Sequence, residues 1–354
     1  MNQKIRVLVV DDSSIIRTLL TKFLSSDPEI EVVGSAPDPY VAREMLTKLK
    51  PDVMTLDVEM PKMDGVTFLE KVMQHLPTRT LIISSLSTQG SATTLRAFEV
   101  GAIDVMAKPA IDVTRSMEAV RYEIITRVKV VAKSNLPEKR TLSPIVRARP
   151  TDVKATALAK TTHSVLAIAS STGGTEALKR VLPLLPPDIP GTVIVQHLPP
   201  VFTKTYADNL QKLCQFEVKE AQDGDKVFPG RALIAPGNFH MELSRSGAYY
   251  FVKLHQEPAL HGVRPAADYL MKSVSKYAGA NAIGVVLTGM GKDGAEGLLA
   301  MKEAGSYNIA QNEQSCVVFG MPKVAIDVGA VHEILPLDRI AAEIIKRCQM
   351  LAVA

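Results

Sequence analysis

The sequence predicts two α/β units, each built on a parallel sheet, with a basic tether between them. Three observations carry this. Short apolar runs alternate with helix-spaced apolar patterns across residues 1–130, and the alternation resumes over 163–354. Residues 131–162 lose that periodicity and hold Pro137, Pro144 and Pro150 among charged and small polar residues. Polar side chains suited to chemistry recur directly after the apolar runs, where a parallel sheet gathers its strand ends on one edge.

In the first unit, Ile5 to Val10 reads as a strand, and Ile15, Ile16, Leu19, Leu20, Phe23 and Leu24 repeat at helical spacing. Val53 to Leu56, Leu81 to Ile83 and the short run before Lys108 are further strands with helices between them, which implies helices on both faces of the sheet. Asp11 and Asp12 follow the first strand; Asp57, Ser84 and Lys108 end later ones. Any one of these alone is an ordinary solvated turn residue. Five at four strand ends form a site. Three carboxylates in one place repel unless they share a cation, and an all-oxygen set without histidine or thiolate suits Mg2+. A hydroxyl and a lysine alongside balance an incoming phosphoryl group. Asp57, which ends its strand and faces the acid pair, is the expected acceptor.

In the second unit, Val165 to Ile168 is a buried strand running into Ser170-Ser171-Thr172-Gly173-Gly174-Thr175, and a helix pattern follows. A hydroxyl on such a strand-to-helix turn lies beside the free N–H groups of a helix start. That arrangement suits either a serine nucleophile or a phosphate cradle. Val193-Ile194-Val195 leads to Gln196-His197, and Ile283 to Leu287 leads through Thr288-Gly289-Met290-Gly291-Lys292 to Asp293. Helices are predicted near 202–213, 265–277 and 338–348, a short strand over 232–235, and an antiparallel hairpin over 241–252 turning at Ser246-Gly247. Ser171, His197 and Asp293 therefore fall on one sheet edge, where nucleophile, base and orienting acid must meet for acyl transfer. Singly, the serine reads as a cap, the histidine as a turn residue and the aspartate as a cap. Their shared position favours catalysis. The phosphate reading is weaker, because neither G-x-G-x-x-G nor Gly-Lys-Ser/Thr is present.

Charge and composition exclude other classes. Residues 133–162 carry a surplus of five positive charges where the whole chain has four, so the two units are together close to neutral. Little supports a basic nucleic-acid-binding face. No apolar run reaches membrane-spanning length, and Met1-Asn2-Gln3-Lys4 leads straight into a strand, so neither an embedded segment nor a signal peptide is expected. Cys214, Cys316 and Cys348 stand apart without C-x-x-C, which fits a reduced, cytoplasmic protein. A flexible tether of about thirty residues spans roughly 30 Å and holds two units at about millimolar effective concentration.

Val-Val-Asp11-Asp12-Ser, Leu56-Asp57-Val58-Glu59-Met60-Pro61-Lys62-Met63-Asp64-Gly65 and Ala107-Lys108-Pro109 resemble the receiver domain of bacterial response regulators. The resemblance implies a flavodoxin-like, five-stranded parallel sheet and phosphotransfer from a histidine kinase to Asp57. It also implies Mg2+ held by Asp11, Asp12, Asp57 and the Glu59 carbonyl, contacts from Ser84 and Lys108, and a cis peptide before Pro109. The position of a switching aromatic in many receivers is Val105 here.

The second unit, through Ser171-Thr172-Gly173-Gly174-Thr175-Glu176-Ala177, Gln196-His197-Leu198-Pro199-Pro200, Ala235-Pro236-Gly237, Arg264-Pro265-Ala266-Ala267-Asp268, Leu287 to Gly294 and Gly320-Met321-Pro322, resembles the catalytic domain of chemotaxis protein-glutamate methylesterases. Its doubly wound fold would then carry Ser171 as nucleophile, His197 as base and Asp293 as orienting acid, with backbone N–H groups of Thr172 and Met290 facing the oxyanion. The substrates implied are methyl-accepting chemotaxis receptors, de-esterified at glutamate and deamidated at glutamine, with no cofactor in the esterase site. Three residues depart from the family pattern: Ser170 before the nucleophile, Lys292 before the acid, and Ala266 after Arg-Pro. The competing reading is a phosphorylation-dependent binding regulator with weak or lost esterase activity.

Overall fold

A computed structural model describes residues 3–85, 88–108, 117–136 and 164–353; of residues 88–92 and 353 it describes the backbone alone. The expected cis bond before Pro109 and most of the expected tether lie outside the described residues. The chain divides into two compact units, Met1–Leu136 and Pro137–Ala354.

The first unit alternates β1 (Ile5–Val10), α1 (Ser14–Ser25), β2 (Ile30–Ala36), α2 (Pro39–Leu49), β3 (Val53–Leu56), α3 (Gly65–His75), β4 (Arg79–Ser84), α4 (Thr88–Val100), β5 (Asp104–Ala107) and α5 (Met117–Lys133). Local sequence starts the helices. Asp38 accepts the Tyr40 and Val41 N–H groups ahead of α2, with Pro39 in the first turn, and Asp64 accepts those of Val66 and Thr67 ahead of α3. All strand pairs are parallel, in the order β2-β1-β3-β4-β5. The chain moves outward from β1 to β2, then returns to β3 on the other side. The crevice between the ends of β1 and β3 is thus the topological switch point, where open α/β sheets bind ligands. Helix α5 runs on to Lys133, so the expected tether begins inside a helix at its first residues.

The second unit contains β6 (Val165–Ser170), α6 (Gly174–Val181), β7 (Gly191–Gln196), α7 (Pro200–Gln211), β8 (Glu217–Glu220), β9 (Lys226–Val227), β10 (Arg231–Ile234), β11 (His240–Ser246) and β12 (Tyr249–His255). These are followed by α8 (Ala267–Tyr277), β13 (Ala282–Val286), α9 (Ala295–Glu303), β14 (Tyr307–Gln311), α10 (Met321–Asp327), β15 (Glu333–Leu335) and α11 (Leu337–Val353). Seven strands form one parallel sheet, ordered β15-β14-β13-β6-β7-β10-β8. Every residue of β6, β7 and β13 is buried, as central strands covered on both faces must be. The expected hairpin is β11–β12, longer than the sequence reading and joined by β9 into a separate three-stranded antiparallel sheet. From β6 the chain goes first to β7 and later returns to β13 on the other flank. The switch point of this sheet is therefore the C-terminal edge of β13, β6 and β7.

Candidate functional site

The backbone order brings the serine turn, the histidine and the aspartate together. Ser170 ends β6 in register with Gln196 at the end of β7, and the next residues are Ser171 and His197. The His197 N–H donates to the Ser170 carbonyl at 3.1 Å. On the other flank, the loop after β13 runs beside the serine turn, and the Ser171 N–H donates to the Thr288 carbonyl at 3.1 Å. Gly289 permits the approach: a Cβ there would stand 2.8 Å from Ser171 Cβ and 2.4 Å from Met321 Sδ. Four residues on, Asp293 Oδ2 lies 2.8 Å from His197 Nε2.

Asp293 is almost wholly buried, and both of its oxygens are held. Oδ2 also accepts the Ala267 N–H at 2.6 Å, and Oδ1 accepts the Asp268 N–H at 3.1 Å. These donors are first-turn N–H groups of α8, which have no partner within the helix and favour an anion. Burial pushes the carboxyl pKa up, but the His197 bond and the two N–H groups bring it below its ordinary value. The carboxylate stays ionised and fixes the imidazole through Nε2.

The two adjacent serines differ in environment. Ser170 is fully buried, and its hydroxyl donates to Gln196 Oε1 at 2.7 Å. Ser171 lies one residue beyond the strand and is partly open. Gln196 also donates through Nε2 to the Ser171 and His197 carbonyls, at 2.9 and 3.2 Å. Gln196 thus braces both turns, a role the sequence reading missed. Its sequence signature is a long polar side chain ending the apolar run Val193-Ile194-Val195. Thr172 is buried, and its carbonyl accepts the Thr288 hydroxyl at 3.0 Å; Met290 is partly exposed in the loop beside Ser171. Of the remaining departures, Lys292 is exposed. Ala266 is buried, its N–H donating to His240 Nδ1 at 3.1 Å.

A second site occupies the switch point of the first unit. One oxygen from each of Asp11, Asp12 and Asp57 lies within 4.8 Å of the others. Asp11 and Asp57 are buried and Asp12 is exposed. Lys108 Nζ stands 2.7 Å from Asp57 Oδ2 and 3.0 Å from Asp11 Oδ2. Glu59 lies alongside, its N–H donating to Asp57 Oδ1 at 3.1 Å. The Lys108 N–H donates to the Ser84 carbonyl at 2.8 Å, which ties the buried serine to the lysine. Burial raises the Asp57 carboxyl to about 6, against the opposing pull of Lys108. Burial works against the Lys108 ammonium as well, but the Asp57 and Asp11 carboxylates raise its pKa on balance. Three carboxylates facing one ammonium leave negative charge for a dication, and an all-oxygen donor set fits Mg2+. Val105 is buried in β5, so no aromatic side chain occupies that position.

Fold and site together define a class: an acidic phosphoryl-acceptor unit of the response-regulator kind, followed by an α/β unit with serine, histidine and aspartate at its switch point. Comparison with known proteins is specific. Residues 7–121 match the response regulator receiver domain, and residues 166–344 match the CheB methylesterase family. A protein-glutamate methylesterase/protein-glutamine glutaminase of Bdellovibrio bacteriovorus is 64% identical over 349 residues, covering 99% of each chain. The protein of the same name from Escherichia coli K12 is 50% identical over 344 residues, covering 97% of each. The crystal structure of the Thermotoga maritima CheB methylesterase catalytic domain superposes with a TM-score of 0.52 at 40% identity, covering 52% of this chain and 99% of that one. The chain belongs to the CheB methylesterase family, in the form that carries an N-terminal receiver. Among the described residues, no helix is long and apolar enough to cross a membrane.

Proposed function

We propose that this chain is a phosphorylation-regulated chemotaxis hydrolase. It cleaves glutamate methyl esters on methyl-accepting chemotaxis receptors and deamidates receptor glutamines, with Ser171 as nucleophile. The observation that carries the reading is the meeting of three strand ends at one switch point. Asp293 grips His197 at 2.8 Å, while Gly289 of the same loop packs against Ser171.

In this mechanism Ser171 Oγ attacks the ester carbonyl and His197 Nδ1 takes its proton. Asp293 holds the ring and stabilises the imidazolium. The backbone N–H groups of Thr172 and Met290 donate to the oxyanion, each worth about 3–4 kcal/mol. The C–OCH3 bond breaks as His197 returns the proton, and methanol leaves. Water then adds to the acyl-enzyme, again losing its proton to His197. Glutamate forms as Ser171 Oγ recovers that proton. A glutamine follows the same course with ammonia as leaving group.

On this reading Asp57 accepts a phosphoryl group from a chemotaxis histidine kinase, and Ser84 and Lys108 contact the phosphoryl oxygens. Asp11, Asp12, Asp57 and the Glu59 carbonyl would hold Mg2+, which when bound neutralises charge on the transferred group. Residues 131–162 serve as the tether through which the receiver at 1–130 acts on the catalytic domain at 163–354, in the cytoplasm. The test is methanol release from methyl-esterified receptor with and without a small phosphodonor. Release stimulated by the donor and lost in Ser171→Ala is expected; release that persists in Ser171→Ala overturns the nucleophile.

A further inference from the structure

A second histidine–carboxylate couple stands directly behind the Asp293 carboxylate. His261 Nε2 lies 2.8 Å from Asp268 Oδ2. Asp268 is fully buried, and its Oδ1 accepts the Gly297 N–H at 2.7 Å. Its own N–H is the donor to Asp293 Oδ1. One polar atom from each of His261, Asp268 and Asp293 lies within 4.8 Å of the other two. Two carboxylates are thus buried side by side at the start of α8, and each oxygen of both already faces an N–H group or His261. Filled in this way, the cluster suits an electrostatic device better than a cation site. Burial and the neighbouring Asp293 charge push the Asp268 carboxyl up, while the Gly297 N–H and His261 pull it back. His261 is the partner that opens to solvent, with 16% of its side chain exposed.

We propose that His261 and Asp268 form a positioning pair for the hydrolytic centre. Asp268 sets a buried carboxylate behind Asp293 and His261 grips that carboxylate at 2.8 Å, so the pair tunes the electrostatics of the Asp293–His197 couple. The inference rests on the Ser171–His197–Asp293 reading. Neither residue of the pair touches the ester; both act through Asp293. Other charged or titratable groups face this cluster. Lys272 of α8 lies near both carboxylates and is paired with Glu296 of α9 at 2.8 Å. Glu296 in turn faces His261 and Lys292. His240 of β11 faces Asp293. None of them donates to Asp268, which distinguishes His261.

The experiment is the pH profile of kcat/KM for methanol release by the full chain, without phosphodonor, each variant divided by wild type so that receiver effects cancel. Asp268→Asn removes the charge behind Asp293. Its acidic limb is expected to move down by about half a pH unit or more. His261→Ala removes the hydrogen-bond donor that offsets the Asp268 charge and should move the limb upward. A role confined to packing lowers the rate equally at every pH and leaves the limb in place. An unmoved limb in either variant, or movement of both in the same direction, overturns the proposal. Should Asp268→Asn fail to fold, His261→Ala decides alone, because His261 is partly open to solvent. Ser171→Ala runs in parallel: its retained activity would sink the hydrolytic reading itself, whereas an inactive Ser171→Ala beside unmoved limbs sinks only the positioning pair.

Discussion

Ser170 and Ser171 are chemically identical, and their roles are set by one residue of chain. The Ser170 hydroxyl is buried and spent on Gln196. Ser170→Ala leaves the buried Gln196 Oε1 without this donor, so it should lower stability by about 1–3 kcal/mol while methanol release persists. Ser171→Ala should remove methanol release while leaving phosphorylation of Asp57 intact. Asp57 supports a prediction of a different kind. Its folded value of about 6 lies above the ordinary 3.8, so the folded receiver holds that proton more tightly than the unfolded chain does. The resulting stability is fully present below about pH 4 and is lost as pH rises through about 6. The difference corresponds to about 3 kcal/mol at most, less because Lys108 leaves the site partly open to solvent. In the absence of Mg2+, Asp57→Asn should therefore stabilise the receiver at pH 7.5, and the gain should vanish near pH 4. Denaturant unfolding at the two pH values checks this, and an equal effect at both would contradict it.

At the scale of elements, both sites follow from the same device. In each sheet the chain reverses its direction of travel beside one strand, β1 in the first and β6 in the second, and the residues after that strand face those of its returning neighbour. Close approach at these points depends on glycine. A Cβ on Gly65 would lie 2.1 Å from the Asp57 carbonyl oxygen, and one on Gly289 would meet Ser171 and Met321. Gly289→Ala must push the Asp293 loop away from the serine turn. Because displacement of about 1 Å can cost about 100-fold, kcat should fall by roughly that factor, with a smaller loss of stability. An active, wild-type-like Gly289→Ala would show that the loop and the turn are less tightly coupled than the contact implies.

For the whole molecule, the two units hold separate sheets and, among the described residues, share no strand. The solved Thermotoga maritima relative is a catalytic domain alone, matched over 99% of its length by about half of this chain. Deleting residues 1–130 should therefore leave a folded catalytic unit. If the unphosphorylated receiver restrains the esterase, basal methanol release should rise in the deleted form, and that rise is the expected outcome. Unchanged or lower release would assign the receiver to activation or localisation instead.

The sequence by itself determined the two alternating α/β patterns and the chemistry at the strand ends. Apolar runs mark buried strands, and Asp11, Asp57, Ser171 and His197 each stand directly after one. Local caps such as Asp38 and Asp64 were equally local in origin, although the partly exposed edge strand β2 and the short strands β8, β9, β14 and β15 carried too little apolar periodicity to be read. Tertiary structure decided what depends on long-range register. It committed the Ser170 hydroxyl to Gln196 across the β6–β7 pair, placed Asp293 against the N-terminus of α8, and set the His261–Asp268 couple behind it. Residue types and spacing along one strand cannot report which side chain of another strand they will meet. That choice is made when strands pair and loops close, because only then do buried donors and acceptors have to find partners.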